Sequence, residues 1–217
     1  MTIRVICWDW NGTLLDDVDI CLRVMNSVLV EFDRAPINGV DAYRRLFRFP
    51  IQDFYADAGL GSDVFRAAAE KYLRLLPLHI GNARLHTGAH DVLTQIAGQG
   101  VRQVLASATL SDALEHQLGP HDIAGHFEQI LSIDDPYRAS KAEVIAEWSA
   151  AEGVDPSEML VIGDTNHDRE IAAALGTRFV HFAAGHQVST GDEARIDRLA
   201  DLIPLLASSA GGRSGAL

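Results

Sequence analysis

The sequence predicts an α/β fold: a Rossmann-like, doubly wound parallel sheet with an all-helical domain inserted after its first strand. Three observations lead to this prediction. A short apolar run near the N-terminus ends at Asp9, and the turn residues Gly12 and Thr13 follow it. Residues 16–84 then show helical spacing without a convincing strand, and short apolar runs alternate with helical segments in the remainder. Such alternation favours a parallel sheet with right-handed crossovers and helices on both faces.

The first strand is predicted at residues 5–9, which read VICWD. This apolar run is too short to span a membrane, and its β-branched residues favour a buried strand over a helix. Asp9 falls at the carboxyl end of the strand, where open α/β sheets bind ligands. The Gly12–Thr13 turn lets the backbone approach a ligand closely. Asp9 is therefore a candidate for chemistry, with a helix cap as the alternative role.

The insert is predicted to contain helices at residues 18–32, 41–47, 51–59 and 62–76. In the helix at residues 18–32, apolar side chains recur every three or four positions. Pro50 follows the helix at 41–47, and Pro77 follows the helix at 62–76. Ser62 is the expected N-cap of that last helix. We therefore divide the chain into a core, residues 1–15 and 85–217, and a helical insert, residues 16–84. The insert is expected to pack over the carboxyl end of the first strand.

The core continues with alternating elements of ordinary length. Further strands are predicted at residues 102–106, 127–132, 159–162 and 179–182. The helices are predicted at residues 88–97, 111–118, 141–149, 167–175 and 198–206. Residues 208–217 are rich in Ser and Gly, so we expect a frayed tail there.

Composition excludes several classes of protein. The formal net charge of −12 argues against nucleic acid or an anionic membrane as the main partner, because phosphate backbones are bound through clustered Lys and Arg. The only two cysteines, Cys7 and Cys21, lie in a predicted strand and a predicted helix, which argues against a disulfide framework. No signal-like leader and no run of eighteen apolar residues occurs. We expect a soluble protein of the cytoplasm.

Four stretches that are distant in sequence are predicted to meet at one edge of the sheet. Asp9, Ser107, the loop before Lys141, and Asp164 each follow a strand, and parallel strands bring their carboxyl ends together. Two acids suit a hard cation, while a hydroxyl and a lysine suit a phosphate group. The sequence therefore predicts a site for a cation and a phosphate.

These residues resemble the four motifs of the haloacid dehalogenase superfamily of aspartyl phosphotransferases. Asp9–Trp10–Asn11–Gly12–Thr13 is similar to the first motif, Ser107 to the second, Lys141 to the third and Gly163–Asp168 to the fourth, in matching order and spacing. The helical insert resembles the first type of cap domain of that superfamily, as in phosphoglycolate phosphatase-like members. The resemblance covers nearly the whole chain.

The resemblance implies a Mg²⁺-dependent phosphatase that hydrolyses a small phosphomonoester through an aspartyl-phosphate. Asp9 would be the nucleophile. Mg²⁺ would be held by Asp9, the backbone carbonyl of Asn11 and Asp164. Asp168 would orient Lys141 or a water on the metal, although an acid that simply favours a helix start is nearly as good an interpretation.

The phosphate group of the substrate would be bound by a second set of residues. This set is Gly12, Thr13, Ser107, Ala108 and Lys141, with Lys141 stabilising the charge of the transition state. The expected partner is a small phosphorylated metabolite, and the protein is expected to be a monomer or a homodimer.

Asn11 departs from the usual pattern, in which a second Asp protonates the leaving group and activates water. An amide does not titrate near neutrality, and general acid–base catalysis typically contributes about 10²–10⁴-fold. A slow phosphatase, one limited to good leaving groups, and a phospho-ligand-binding or regulatory protein all remain open. A metal-independent dehalogenase is disfavoured by Asp164, and a phosphomutase by Asn11. Asp16 and Asp17 are expected in the entry to the first helix of the insert, not as substitute acids.

Three other side chains have alternative roles. Arg45 and Arg48 would lie near the site if the insert closes over it, and they are candidates for binding an anionic part of the substrate. The alternative is that both are solvated or paired with nearby acids. Trp10 is expected to shape the mouth of the pocket.

Overall fold

The computed structural model describes residues 2–134 and 140–210. Its strands are β1 (Val5–Asp9), β2 (Leu15–Asp16), β3 (Arg84–Leu85), β4 (Arg102–Leu110), β5 (Gln129–Ile133), β6 (Met159–Gly163), β7 (Arg178–Phe182) and β8 (Ala194–Ile196). Its helices are α1 (Val18–Glu31), α2 (Val40–Leu46), α3 (Ile51–Asp57), α4 (Phe65–Leu75), α5 (Pro77–Ile80), α6 (Ala89–Gly98), α7 (Ser111–Leu118), α8 (Lys141–Ala151), α9 (Asn166–Leu175) and α10 (Leu202–Ala210).

A six-stranded parallel sheet in the order β5-β4-β1-β6-β7-β8 forms the core. β1 lies between β4 and β6, with Asp9 opposite Ala106 and Trp8 opposite both Leu105 and Ile162. Every residue of β1 and β6 is buried, as a continuous apolar run in a parallel sheet requires. The predicted α/β, Rossmann-like fold is confirmed, and the carboxyl ends of β1, β4 and β6 are neighbours.

Side chains of β1 alternate between the two faces of the sheet. Val5 and Cys7 belong to a cluster that includes side chains of α8 and α9, whereas Ile6 and Trp8 belong to one that includes side chains of α6 and α7. Both faces are therefore covered by helices, which is the doubly wound arrangement.

The helical insert has an apolar cluster of its own, built largely from α1, α2, α3 and α4. The chain enters and leaves the insert through a short antiparallel pair, in which Leu15 lies opposite Leu85 and Asp16 opposite Arg84. The boundaries expected at residues 15/16 and 84/85 fall inside this pair. Two residues on each side are too few to produce a periodic pattern, so sequence analysis missed both strands.

Other element boundaries also differ from the prediction. β8 was not predicted, because its three residues are too short to show alternation. α4 begins at Phe65 and not at Ser62, because Val64 N–H bonds to Gly61 O and closes a turn over residues 61–64. β4 extends beyond residue 106 to Leu110 through a shift in its register with β5. The expected tail begins inside α10, and residues 211–217 lie outside the described part.

Within the described residues, none of the helices has the length and apolar character needed to cross a membrane.

Candidate active site

Asp9, the last residue of β1, forms a buried ion pair with Lys141, the first residue of α8. Lys141 Nζ lies 2.5 Å from Asp9 Oδ1 and 2.7 Å from Asp168 Oδ1. The start of α8 is held by a capping box, in which Ser140 and Glu143 exchange hydrogen bonds. Burial raises the pKa of Asp9 to about 6, although Lys141 acts in the opposite direction. The ammonium group thus links two acids that lie 159 positions apart in the chain, Asp9 and Asp168, within one site.

Asp168 contacts both the start of α9 and Lys141. It belongs to a capping box at the start of α9, where its Oδ2 accepts hydrogen bonds from Thr165 N (3.1 Å) and Thr165 Oγ1 (2.6 Å). Its Oδ1 accepts from Lys141. Burial alone would raise the pKa of Asp168, but Lys141 and Thr165 hold it below its usual value. The acid therefore fixes the start of the helix and orients the lysine.

Asp164 follows β6 and is 1% exposed. Its Oδ1 accepts from Thr13 Oγ1 at 3.1 Å, and its Oδ2 accepts from the backbone N–H of His186 at 2.5 Å. Gly12 packs against it with φ of +77°, and a Cβ there would lie 2.3 Å from Asp164 Oδ2. Only glycine can therefore occupy position 12, for reasons of both backbone conformation and space.

The donor set fits a hard divalent cation. Asp9, Asp164 and Asp168 each offer a carboxylate oxygen, and these oxygens all lie within 4.8 Å of one another. Burial holds the pKa of Asp164 well above its usual value, and the charges of Asp9 and Asp168 raise it further. Lys141 Nζ donates to Asp9 and to Asp168. An all-oxygen set with excess negative charge is the kind that Mg²⁺ prefers.

Asn11 is locked by its neighbours. Its Nδ2 donates to Asp17 Oδ2 at 2.9 Å, and its Oδ1 accepts from Thr109 Oγ1 at 2.9 Å. Because an ionised carboxylate only accepts hydrogen bonds, Asp17 fixes which end of the amide faces it. Gln117 Oε1 lies 3.5 Å from the same Nδ2. The side chain that replaces the usual acid is therefore a fixed amide within a polar network.

Sequence analysis missed two buried residues beside Asn11. Asp17 precedes α1, as expected, but its side chain turns inward and is 1% exposed. Asp17 Oδ1 accepts from Gly12 N at 2.9 Å and lies 3.0 Å from His186 Nε2. His186 follows β7 on the same edge of the sheet as Asp164, and that position was the available signal for finding it.

Asp17 and His186 form a charged pair. Burial alone would lower the pKa of His186, but the charge of Asp17 and its hydrogen bond outweigh burial and raise the pKa to about 9. In the same way, His186 holds the pKa of Asp17 below its usual value against the effect of burial. The other ring nitrogen of His186, Nδ1, forms a hydrogen bond with Tyr43 Oη, 3.0 Å away.

The segment at the end of β4 lies beside Asp9. Ser107 is buried one residue past Ala106, the partner of Asp9 in the sheet, and its Oγ accepts from Thr109 N at 3.1 Å. Ala108 is exposed between them. The predicted phosphate-binding stretch is therefore placed next to the predicted nucleophile.

Three neighbouring arginines of the insert differ in whether they face solvent or reach the core. Arg45 and Arg48 are exposed, and Arg48 pairs with Asp57 within the insert at 2.6 Å. Their neighbour Arg44 reaches the core, where Nε donates to Gly185 O at 2.7 Å and Nη2 donates to Ala184 O. A role for Arg45 and Arg48 in binding substrate stays a prediction.

The expectation for Trp10 is wrong. Its side chain is fully buried in the core, and its Nε1 donates to Gln117 Oε1 at 2.8 Å. The indole is placed there because the chain turns at residues 10–15, where Thr13, Leu14 and Leu15 N–H groups all bond to Trp10 O. Trp10 therefore supports the turn and does not line the mouth of the site.

Comparisons with known proteins agree on the family and the fold. A model of the haloacid dehalogenase-like hydrolase family matches residues 6–182. Phosphoglycolate phosphatase 1 of Pseudomonas aeruginosa is 24% identical in an alignment 215 residues long, which covers 93% of this chain and 79% of that protein. The phosphoglycolate phosphatase of Pseudomonas putida is 26% identical in an alignment 223 residues long, which covers 96% of this chain and 82% of that protein.

A solved structure with the same fold is that of a conserved haloacid dehalogenase-like protein of unknown function from Agrobacterium tumefaciens. Its TM-score is 0.81 at 21% identity, over 96% of this chain and 99% of that chain.

Proposed function

The chain belongs to the haloacid dehalogenase-like hydrolase family, and from this premise we propose that it is a Mg²⁺-dependent phosphatase that acts on a small phosphomonoester. The observation that carries the proposal is the contact of Lys141 with both Asp9 and Asp168, with Asp164 close by. The two relatives named as phosphoglycolate phosphatases support a substrate similar to phosphoglycolate. We further propose that it works in the cytoplasm, as a monomer or a homodimer.

The proposed chemistry has two steps. An oxygen of Asp9 attacks phosphorus, the bond from phosphorus to the ester oxygen breaks, and the leaving oxygen takes a proton from solvent water to become an alcohol. Water then attacks the aspartyl-phosphate, which releases inorganic phosphate and restores the carboxylate of Asp9. Lys141 and Ser107 hold phosphoryl oxygens and stabilise the charge that develops on them.

Mg²⁺ would be held by Asp9, Asp164 and the backbone carbonyl of Asn11, and would supply positive charge against the dianionic substrate. The buried, all-oxygen set of acids supports this assignment. Gly12 and Thr13 connect the two acids, since Thr13 Oγ1 donates to Asp164 and the turn follows Asp9 directly.

A second candidate function rests on Asn11. Because its amide is held by Asp17 and Thr109 and does not titrate near neutrality, position 11 lacks the group that usually protonates the leaving alcohol. This favours substrates with good leaving groups, and it also fits a protein that binds phosphorylated ligands with little turnover.

The decisive experiment measures phosphate release from p-nitrophenyl phosphate and from a panel of small alkyl phosphates, including phosphoglycolate. Wild type is assayed with Mg²⁺ and with a chelator, beside Asp9→Asn. The control is Asp91→Asn, which makes the same substitution at an exposed position of α6. We expect turnover of the activated ester by wild type and Asp91→Asn with Mg²⁺ only, and none by Asp9→Asn.

Two results would contradict the phosphatase proposal. Full activity of Asp9→Asn would remove the nucleophile from the position proposed here. A wild type that is inert on the activated ester, but binds Mg²⁺ and inorganic phosphate in calorimetry, would favour the ligand-binding function.

A further inference from the structure

His186 lies at the point where the helical insert meets the candidate active site. It belongs to a segment after β7, residues 183–188, that contacts both parts of the molecule. Its side chain is 7% exposed, and the imidazole bridges Asp17 Oδ1 and Tyr43 Oη, each 3.0 Å away. Its backbone N–H donates to Asp164. We propose that His186 is a positioning residue through which docking of the insert completes the part of the site around Asp164 and Gly12.

The insert contacts this segment on both sides of His186. Tyr43 of α2 bonds to the imidazole, and the next residue, Arg44, donates to the carbonyls of Ala184 and Gly185. Val188 N–H donates back to Arg44 O at 3.3 Å. Tyr43 is 2% exposed in the docked arrangement, so its hydroxyl bonds to the imidazole there. With the insert undocked, the hydroxyl would bond to water instead. The segment and α2 therefore form one hydrogen-bonded unit.

The same segment contacts the catalytic side of the core. Gly185 packs directly on Asp164, where a Cβ at position 185 would lie 2.2 Å from Asp164 Oδ2. Asp17, the other partner of His186, accepts from Gly12 N and Asn11 Nδ2. Movement of the segment with α2 would thus remove donors from both Asp164 and Asp17. Leaving buried acids without their donors is costly, so the site is complete only with the insert in place.

Aromatic packing reinforces this connection. The ring centroid of Phe47, which follows α2, lies 5.2 Å from that of His186, and the centroid of Tyr43 lies 5.8 Å from it. Phe49 lies 4.8 Å from the ring of His167, which is adjacent to Asp168. Tyr43 and Phe47 thus pack on the buried imidazole, and a hydrogen bond in such a buried setting is stronger than one in water.

The test uses Tyr43→Phe, which removes the hydroxyl that meets His186 and keeps the ring. Tyr55→Phe is the matched control, because Tyr55 is also a buried tyrosine of the insert and packs on Phe54 and Phe65. His186→Gln is the second variant, since the amide nitrogen of Gln can occupy the position of Nε2 beside Asp17 but cannot also reach Tyr43.

The first readout needs no turnover. Cys21 is buried in α1 with its Sγ 3.7 Å from Asp17 Oδ2, so alkylation by iodoacetamide, followed by peptide mass spectrometry, reports undocking beside Asp17. Cys7, buried in the central strand, is the internal reference for global unfolding. We expect Tyr43→Phe to label Cys21 about two- to tenfold faster than wild type, the range that one buried hydrogen bond supplies, with Cys7 unchanged.

The second readout connects docking to the site, and in this part the inference rests on the proposed function. Tyr43→Phe should lower kcat/KM for p-nitrophenyl phosphate by the same factor, about two- to tenfold, and Tyr55→Phe should not. If wild type does not turn over substrate, the affinity for inorganic phosphate with Mg²⁺ replaces kcat/KM and should fall by that factor. The double variant Tyr43→Phe/His186→Gln should lose no more kcat/KM or phosphate affinity than the more impaired of the two single variants, because both changes break the same contact.

Equal Cys21 labelling and equal phosphate affinity in Tyr43→Phe, Tyr55→Phe and wild type would overturn the inference, whether or not the protein is a phosphatase. Additive losses in the double variant would also overturn it. Failure of turnover alone, with faster Cys21 labelling and weaker phosphate binding in Tyr43→Phe, supports the inference and contradicts only the phosphatase proposal.

Discussion

At the scale of the residue, the pair of Asn11 and Asp17 is the centre of a polar network beside Asp9. A carboxylate and an amide face each other at 2.9 Å, with the carboxylate at position 17 and the amide at position 11. Thr109 donates to the amide oxygen, and Gly12 N and His186 Nε2 hold the carboxylate. Each partner in this network has a fixed donor or acceptor role, so neither residue can be changed independently.

Asn11→Asp alone should therefore destabilise the folded protein and should not restore an ordinary phosphatase. The substitution puts two carboxylates in contact, and we expect the free energy of unfolding to fall by about 1–3 kcal/mol. The exchanged pair Asn11→Asp/Asp17→Asn should recover most of that loss, because one amide again donates to one carboxylate. Urea unfolding of the wild type, both single variants and the double variant measures the coupling between the two positions. A stable Asn11→Asp single variant would contradict this prediction.

At the scale of the element, two helices begin at the site with capping boxes. Ser140 caps α8, which starts with Lys141, and Thr165 caps α9, whose first turn contains Asp168. A cap normally satisfies the free N–H groups of a helix start. Here each cap also fixes the direction of a charged side chain in the site, so local helix stability and site geometry depend on the same hydrogen bonds.

Thr165→Ala should affect both properties. It removes the hydroxyl that donates to Asp168 Oδ2 at 2.6 Å, and a lost N-cap costs about 1 kcal/mol of stability. Because Asp168 orients Lys141, we also expect kcat/KM to fall about two- to tenfold. Asp155→Ala is the control, since Asp155 caps the turn before β6, at the opposite end of that strand, and should leave kcat/KM unchanged. Thermal unfolding and the p-nitrophenyl phosphate assay separate the two effects, and equal kcat/KM for both variants would refute the positioning role of Thr165.

At the scale of the whole molecule, the parallel sheet concentrates acids that are far apart in sequence. Thr13 and Asp164 are 151 positions apart and share a hydrogen bond, because β1 and β6 are neighbours and run in the same direction. Three acids gather there, and one lysine pairs with two of them, Asp9 and Asp168. Without a cation, this excess of negative charge opposes folding.

Mg²⁺ should therefore stabilise the wild type strongly, and Asp164→Asn should remove that effect. A ligand present at one hundred times its dissociation constant adds about 2.7 kcal/mol to the free energy of unfolding. Without Mg²⁺, we expect Asp164→Asn to be at least as stable as the wild type, because it removes a buried acid whose ionisation is opposed by burial, while the new amide accepts from His186 N and donates to Thr13 Oγ1. Thermal unfolding with Mg²⁺ and with chelator measures both effects. A Mg²⁺-dependent rise in Tm that persists in Asp164→Asn would exclude Asp164 as a ligand.

The core was predictable because its signals are local. A buried parallel strand needs an unbroken apolar run, and a ligand-binding edge places polar residues directly after such runs, as with Asp9 and Asp164. The predicted starts of α1, α3, α7 and α8 also agree with the structure. The short pair β2–β3 and β8 were not predictable, since two or three residues carry no periodicity.

By itself, the sequence determined the fold class, the order of the core strands along the chain, and the acids and lysine that follow those strands. Only the tertiary structure decided what surrounds Asn11. Asp17 and His186 are 169 positions apart, and Tyr43 reaches the same imidazole from the insert. No local pattern encodes such a contact, because it depends on how the insert docks on the segment after β7. The physical reason is that strand and helix formation follow from neighbours in sequence, whereas the pairing of buried charges follows from packing between distant elements.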